Sequence, residues 1–275
     1  MAAGIGWLER NCADLGLKRA AIRSAARKVE TDTQVRNKKG QRGVRMRVRC
    51  EDRSVHVGRE ACSAGARLAR HRHHLGYIAI VLEGGYLEAG DVGRVRVGPG
   101  HMLIHRPFEA HLDEFGLSGA EVLNLPLPRA EAGWTICSVA DPDEIVRVAE
   151  GDAWAAARLA LLRAQGGPEP EADWPDLLAA ELRRGAVPCL YDWGLRHGLT
   201  APRISRGFRQ AYGVTPVRYR SESRARMALE AISTTSDRLA DIALDAGFAD
   251  QSHMTREVVA LTGRPPRTWR LALRH

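Results

Sequence analysis

The chain has 275 residues, 44% of them hydrophobic, and carries a formal net charge of +8 at pH 7. This length suits two domains, each with its own core. No run of about 18 apolar residues occurs, and basic residues interrupt the alanine-rich amino terminus, which argues against membrane-spanning and secreted classes. We therefore expect a cytoplasmic protein with no membrane partner.

The five cysteines are odd in number, widely scattered and form no CxxC pair: Cys12, Cys50, Cys62, Cys137 and Cys189. This pattern argues against a disulfide framework and against a structural zinc site. We interpret all five as reduced thiols.

The net charge is unevenly divided along the chain. Residues 1–50 hold 13 basic and 4 acidic residues, residues 51–186 hold 14 and 21, and residues 187–275 hold 14 and 8. Clustered positive charge is typical of phosphate-binding surfaces, although a solvated basic face gives the same count. Residues 1–50, rich in alanine and basic residues, are predicted to be a disordered or loosely helical basic arm. The arm either contacts DNA or has no function, and we favour no function.

Residues 51–130 contain short apolar runs separated by glycines, such as 77–82, 95–97 and 102–104. Closely spaced short strands of this kind predict a small all-β barrel or sandwich. Residues 131–186 are predicted to be a helical segment and linker. Asp141-Pro142 resembles an N-cap followed by proline at the first helical position, and the apolar spacing over 141–164 is helical. This helical segment either forms a dimer contact or packs against the barrel, and we favour packing.

The glycines and prolines of residues 166–171 predict a linker, and a short helix is expected from Pro175 to Arg184. Beyond it, residues 187–275 contain an internal repeat, in which positions 50 residues apart carry the same or similar residues. Ile204 matches Met254, and Gly213 matches Gly263. The other matched pairs are Ser205 with Thr255, Arg206 with Arg256, Phe208 with Val258, Pro216 with Pro266, Tyr219 with Trp269 and Arg220 with Arg270.

Each repeat is typical of a helix-turn-helix unit. In the second, Gly247 ends one helix, Phe248 fills the angle between helices, and the next helix buries Met254, Val258 and Leu261. In the first unit the equivalent buried stripe is Ile204 and Phe208. Thr200 and Asp250 are the expected N-caps of the two recognition helices. Residues 217–232, which contain several arginines, suit a helix linking the units, so that both could enter successive major grooves.

Residues 239–256 and 262–266, with the doubled pattern around them, resemble the DNA-binding domain of the AraC/XylS family of transcription regulators. Two positions depart from that family: Val258 replaces a phenylalanine and Trp193-Gly194 replaces Leu-Ala. We expect both changes to weaken packing. The resemblance implies base or backbone contacts to double-stranded DNA from the first recognition helix through Pro202, Arg203, Ser205, Arg206 and Arg209, and from the second through Gln251, Ser252, His253, Thr255 and Arg256.

Residues 65–111 resemble the cupin barrel that binds effectors in many AraC-type regulators. Gly65 is followed after five residues by His71-Arg72-His73, and Gly100 is followed by Pro107 and His111. The resemblance implies that these three histidines converge in the barrel with Tyr77 as a ligand-binding set. Imidazoles suit a divalent metal, but the expected carboxylate after the HxH is replaced by Tyr77 and Ile78, so we predict no metal cofactor. The alternative for these histidines is a polar strand end at the barrel mouth.

The predicted fold is therefore multi-domain, with an amino-terminal cupin-like barrel and a carboxy-terminal all-α domain holding two helix-turn-helix motifs. The predicted function is a ligand-responsive transcription regulator whose expected partners are double-stranded DNA, a small-molecule effector and RNA polymerase. The sequence does not decide between an activator and a repressor, or between a monomer and a homodimer. The alternative is a metal-dependent cupin enzyme with a DNA-binding tail. No Ser-His-Asp order, P-loop or dinucleotide motif points to other catalysis, and we predict that the chain is not an enzyme.

Overall fold

The computed structural model of the chain describes residues 51–52, 55–128, 135–185 and 189–272. The basic arm predicted over residues 1–50 lies outside the described residues, as do Cys12 and Cys50. Within the described part, Cys62, Cys137 and Cys189 are free thiols, as the sequence predicts.

The amino-terminal half is built from nine strands and two helices. The strands are β1 (Glu51–Asp52), β2 (Gly58–Cys62), β3 (Arg67–Arg72), β4 (Tyr77–Ala89), β5 (Arg94–Val97), β6 (His101–His105), β7 (Ala110–Pro126), β8 (Ile136–Val139) and β9 (Ala164–Gln165); the helices between the last two are α1 (Pro142–Ala149) and α2 (Ala153–Leu162).

Two long strands, β4 and β7, pair antiparallel along almost their whole length. The first part of β4 also pairs with β6, and its last part pairs with β5. In the same way, β7 pairs with β3 near its start and with β2 near its end. One side of the sheet therefore consists of strands that pair with β4, the other of strands that pair with β7, and the pairing of β4 with β7 joins them. Among the described strands the hydrogen-bonded order is β1-β3-β7-β4-β6-β8-β9, with β2 on β7 and β5 on β4. The amino-terminal half is therefore the predicted antiparallel, sheet-rich domain.

Side chains in the first part of β4 alternate between the two faces of this sheet, as the two-residue period of a strand requires. Ile78 and Ile80 are buried on the outer face, where α1 and α2 pack. Tyr77, Ala79 and Val81 contribute to a second apolar cluster on the inner face. The predicted N-cap of α1 is present, because the Asp141 carboxylate accepts a hydrogen bond from the Glu144 backbone N–H at 3.0 Å. The segment 141–164 thus packs against the sheet.

The sequence predicts that the β domain ends at residue 130, but the sheet continues beyond that residue. β8 pairs with β6, and β9 pairs with β8. The predicted linker at 166–171 also lies against the sheet: the Glu171 backbone N–H donates to the Arg94 carbonyl. A proline- and glycine-rich segment can be held in this way because its remaining backbone groups still form hydrogen bonds.

The regular elements described between residues 174 and 272 are all helices. They are α3 (Trp174–Arg183), α4 (Leu190–Arg196), α5 (Ala201–Tyr212), α6 (Pro216–Thr234), α7 (Leu239–Asp245), α8 (Gln251–Thr262) and α9 (Pro266–Ala272). Helices α4 and α5 form the first helix-turn-helix unit, α7 and α8 form the second, and α6 joins them. None of the described helices is both long and apolar enough to cross a membrane.

The sheet contributes side chains to both helical cores. Ala89 and Leu112 pack with the core of the first unit, and Phe108 packs with that of the second. The Phe108 ring meets the Trp269 ring edge to face, with centroids 5.4 Å apart. The two halves of the molecule therefore share apolar cores, so a displacement of the sheet bears directly on the helical units.

Candidate functional site

The two predicted recognition helices, α5 and α8, each bury one face and expose the other. Ile204 and Phe208 of α5, and Met254, Val258 and Leu261 of α8, are buried as expected. The residues predicted to contact DNA lie on the opposite faces: Pro202, Arg203, Ser205, Arg206 and Arg209 are exposed on α5, Gln251, Ser252 and Arg256 are exposed on α8, and His253 and Thr255 are half-buried there.

The repeat extends to backbone geometry at the helix ends. Gly213 and Gly263 close α5 and α8 with the same φ of +73°, a left-handed conformation that favours glycine. The helix starts differ. The Asp250 carboxylate accepts a hydrogen bond from the His253 backbone N–H at 2.7 Å, whereas Thr200, expected to act likewise, makes no such side-chain bond. Of these two helices, therefore, only α8 has a side-chain cap.

The expected packing weakness at Trp193-Gly194 is not present. Trp193 is fully buried, and its indole N–H donates to the Glu181 carboxylate at 3.1 Å. A Cβ on Gly194 would lie 2.6 Å from the Leu199 carbonyl oxygen, so only glycine fits beside this turn. The large Trp193 ring therefore fills the core, and Gly194 leaves room for the backbone of Leu199. Val258, the other departure, is also fully buried.

The arginines of α6 differ in their surroundings. Arg218 pairs with Glu222 at 2.9 Å and with Glu257 at 3.2 Å, and Arg226 pairs with Asp91 at 2.6 Å. These two side chains are engaged within the molecule, so they are not free to approach phosphate. Arg226 instead joins α6 to the sheet half, and Arg218 joins α6 to the recognition helix α8.

A cavity of about 430 Å³ opens on the inner face of the sheet. Its lining combines imidazoles, carboxylates, an amide, phenol rings and apolar groups: Val55, Glu60, Cys62, Leu68, His71, His73, Tyr77, Ala79, Tyr86, His111, Asp113, Phe115, Val122 and Asn124. The four residues predicted to bind a ligand, His71, His73, Tyr77 and His111, are all among them. Such a cavity has the volume and mixed lining of a small-molecule site.

The three histidines of the cupin-like pattern converge as expected. The ring centroids of His71 and His111 are 4.4 Å apart, and those of His71 and His73 are 4.9 Å apart. One ligand-type nitrogen from each of the three lies within 4.8 Å of the others, and all three side chains are buried. These residues are thus interior groups rather than a solvated strand end, and their spacing fits a common ion.

The structure adds acidic and imidazole groups that the sequence prediction missed. Glu88, His105 and His111 form a second cluster of ligand-type atoms. Asp113 lies beside them, with its carboxylate 3.8 Å from His111 Nε2. Strand alternation contains a signal for His105, because Leu103 and His105 share the inner face of β6 while Met102 and Ile104 share the outer face.

Burial controls the charge of this cluster. Removal from water lowers the pKa of His105 to about 3 and that of His111 well below its usual value, with neighbouring histidines adding to both effects. Burial, followed by the charge of Asp113, raises the pKa of Glu88 well above its usual value. Neutral imidazoles are the form that donates a lone pair to a metal or accepts a hydrogen bond from a ligand.

The carboxy-terminal part matches a protein-family model. Residues 195–272 match a family described as "Helix-turn-helix domain". No curated protein matches the sequence. The matched residues include the whole of α5 to α9, and thus both recognition helices.

Several solved structures resemble the chain at a distance. An apo variant of ToxT from Vibrio cholerae is 10% identical, with a TM-score of 0.37, over 82% of this chain and 100% of that one. A probable AraC family transcriptional regulator from Rhodopseudomonas palustris is 19% identical, with a TM-score of 0.32, over 36% of this chain and 92% of that one. A variant oxalate decarboxylase of B. subtilis is 16% identical, with a TM-score of 0.24, over 42% of this chain and 34% of that one. These TM-scores do not establish a shared fold.

The family match and the doubled motif agree on the same residues. The family match covers residues 195–272. The doubled motif lies in the same part of the chain, and α5 and α8 have equivalent buried residues and the same glycine at their carboxyl ends. The chain therefore carries a helix-turn-helix DNA-binding domain and is a transcription regulator.

Proposed function

We propose that the chain is a ligand-responsive regulator, in which a small molecule entering the 430 Å³ cavity alters how the two helix-turn-helix units bind DNA. The observation that carries this proposal is the placement of β3. His71 and His73, on or next to this strand, line the cavity, whereas Arg70 and Arg72 bond to the helical half. One strand therefore contacts both the ligand site and the DNA-binding half.

The coupling route begins at Arg70. Its guanidinium lies 3.2 Å from the Glu222 carboxylate on α6, and both side chains are 3% exposed. Glu222 also binds Arg218, and Arg218 in turn binds Glu257 on recognition helix α8. Ser221 donates to Glu257 at 2.7 Å. A ligand that shifts β3 would thus change the contacts that hold α8. It would regulate DNA binding if its affinity differs between the arrangements of the chain before and after this shift.

Both recognition helices are proposed to enter the major groove. The exposed face of α8 offers Gln251, which can pair with adenine, and Arg256, which can pair bidentately with guanine. On α5, Arg203 and Arg206 offer the same chemistry as Arg256. Since α6 joins the two helices and their cores are shared with the sheet, one chain could occupy two successive grooves.

The DNA proposal is tested by selecting bound sequences from a random duplex library. We expect Gln251→Ala and Arg256→Ala to change the selected base at one or two positions, whereas Arg220→Ala reduces affinity for all sequences about equally. Arg158→Ala, an exposed arginine of α2, is the matched control and should change neither property. Unchanged base preference in both α8 variants would contradict the assigned contacts.

The effector proposal is tested with the full chain and a metabolite library. A true effector should raise the unfolding temperature and change affinity for the selected DNA. Val122→Trp places a large ring in the cavity and should abolish both responses while DNA binding persists. Leu117→Trp, at a 97% exposed position of the same strand, is the control and should respond like the wild type. A ligand response that survives Val122→Trp would exclude this cavity as the site.

Contacts with RNA polymerase and with a second copy of the chain are further parts of the proposal. Light scattering of the protein with and without its selected DNA tests the homodimer, and transcription in vitro tests activation. The buried histidines also suit a metal-dependent cupin enzyme, the second candidate function. Conversion of the identified ligand by the metal-loaded protein would favour that candidate, and recovery of the ligand unchanged would favour the regulator.

A further inference from the structure

A very small pocket adjoins the large cavity at the opposite side of His111. It has a volume of about 10 Å³, and Glu88, His105 and His111 are among its lining residues. About 10–15 Å³ is the space that a single water molecule needs, so the pocket holds one atom or ion but no organic molecule. From this pocket and the donors around it, we propose that Glu88, His105 and His111 bind a divalent transition-metal ion.

The distances fit a coordination centre. One ligand-type atom from each of the three residues lies within 4.8 Å of the others. Glu88 Oε2 and His105 Nε2 are 3.5 Å apart, which is long for a hydrogen bond. Donors bound tetrahedrally at about 2.0–2.1 Å from one ion are separated by about 3.3–3.4 Å. The observed separation is therefore close to that of two ligands of one metal.

The three side chains are almost completely removed from solvent, with 4%, 5% and 3% exposure for Glu88, His105 and His111. His111 Nδ1 is buried and has no hydrogen-bond partner among the described residues. An unpaired buried ring nitrogen is costly, and an ion would relieve that cost. Asp91 and Glu109 also line the pocket, although Asp91 is already paired with Arg226.

This set differs from the triad predicted by the cupin-like pattern. His71 and His73 face the large cavity, and only His111 belongs to both groups. Glu88 and His105 lie at the carboxyl ends of β4 and β6, outside the HxH and Gly-Pro-His patterns. Two imidazoles and one carboxylate suit Zn²⁺, Fe²⁺, Co²⁺ or Ni²⁺, whereas Mg²⁺ and Ca²⁺ prefer oxygen ligands.

The metal site adjoins the contact between the two halves. Gly90 and Asp91 follow Glu88 at the end of β4. The Gly90 carbonyl accepts a hydrogen bond from the Tyr219 hydroxyl at 3.3 Å, and Asp91 pairs with Arg226. An ion held by Glu88 would therefore fix the turn that touches α6. The site goes beyond the proposed effector function and does not depend on it.

The experiment uses the full chain, freed of any affinity tag and stripped with a chelator, and titrates it with Zn²⁺ and with Co²⁺ as a spectroscopic probe. We expect one ion per chain, with visible Co²⁺ absorption typical of a tetrahedral site. Glu88→Gln and His105→Gln should each weaken binding more than about 100-fold. His73→Gln should retain binding, and His56→Gln, an exposed histidine of the same domain, is the surface control.

Two results would overturn the proposal: absence of stoichiometric binding by the wild type, or binding that is lost in His73→Gln and kept in Glu88→Gln. X-ray absorption of the zinc-loaded wild type gives a readout without any variant, since two imidazoles support the proposal and three support the predicted triad. Circular dichroism of each variant checks folding. Because none of these measurements involves DNA or an effector, their failure leaves the regulator proposal intact, and failure of the regulator proposal leaves them unaffected.

Discussion

The Glu222→Gln substitution tests whether the buried charge network holds the two halves of the molecule together. Glu222 Oε2 accepts from Arg70 Nη2 at 3.2 Å, and Oε1 accepts from Arg218 Nε at 2.9 Å. The substitution keeps the side-chain size and removes the charge. Arg70, which is 3% exposed, would then lie in the interior opposite a neutral amide.

The expected loss follows from burial. Removing one partner of a buried ion pair costs about 3–5 kcal/mol, because the remaining charge is left uncompensated. Arg218 is one-third exposed and keeps Glu257 as a second partner, so the loss of its bond to Glu222 adds little to the change in unfolding free energy. We therefore expect Glu222→Gln to reduce the free energy of unfolding by about 3 kcal/mol, near the lower end of that range.

The assay is urea unfolding of the full chain at pH 7, followed by tryptophan fluorescence and by circular dichroism. The single variants Arg70→Met and Glu222→Met and the double variant complete a double-mutant cycle. The double variant should lose less unfolding free energy than the sum of the two single losses, with a coupling of at least about 1.5 kcal/mol. Glu121→Gln breaks the exposed pair with Arg59 and is the matched control, with an expected loss under about 0.5 kcal/mol. Additive single effects, or a Glu222→Gln loss no larger than the control, would refute the reasoning.

The same network predicts a pH dependence. Burial acts to raise the pKa of Glu222, but the charges of Arg70 and Arg218 outweigh it and hold the pKa below its ordinary value. A lowered carboxyl pKa stabilises the folded state above the unfolded value of about 4.3 and loses that contribution as the pH falls through the folded value. The stability difference between wild type and Glu222→Gln should therefore shrink below about pH 4.3. A difference that grows on acidification would contradict this sign.

The internal repeat offers two paired comparisons, both measured by thermal or urea unfolding. Gly263→Ala should cost about 1 kcal/mol, the strain of a left-handed alanine, since nothing lies within 4 Å of the added Cβ. Gly213→Ala should cost more, because its Cβ would lie 3.0 Å from the Arg70 side chain; equal losses would mean that this contact relaxes freely. Asp250→Ala should cost about 1 kcal/mol through loss of the cap, whereas Thr200→Ala should be nearly neutral; a larger loss at Thr200 would contradict the observed absence of its cap bond.

The helical half could be predicted well because its signals are local. The apolar stripe of α8 and the glycines at 247 and 263 depend on spacings of a few residues, and the same spacings recur in the first unit. The exchange at Trp193-Gly194 could not be judged in this way. Its outcome depends on Glu181 and Leu199, which the fold brings to the indole and to the glycine from a preceding helix and a following turn.

The ligand cluster was predictable only where a motif marked it. His71, His73 and His111 belong to a spaced pattern, and the structure brings them together. Glu88 and His105 lie on strands whose inner faces become clear only when the register of β4 with β6 and β7 is known. A one-residue error in register reverses the faces of a strand, so alternation alone puts His105 on the face of Leu103 but does not show that Glu88 and His111 lie beside it.

The alternation along β3 imposes a limit on sequence change. Inward histidines serve the cavity while the neighbouring arginines, Arg70 and Arg72, bond to α6 and to the end of α8. The pairing of β3 with β7 is irregular between Leu68 and His71, so one residue added or removed there can be absorbed by the bulge. A change that the bulge does not absorb would exchange the two sets, placing guanidinium groups in the ligand cavity and imidazoles against the helices. In the proposed mechanism, ligand binding and its transmission to the helices therefore depend on the same strand. A regulator of this design can change its ligand by substitution at cavity positions, but not by shifts in the register of β3.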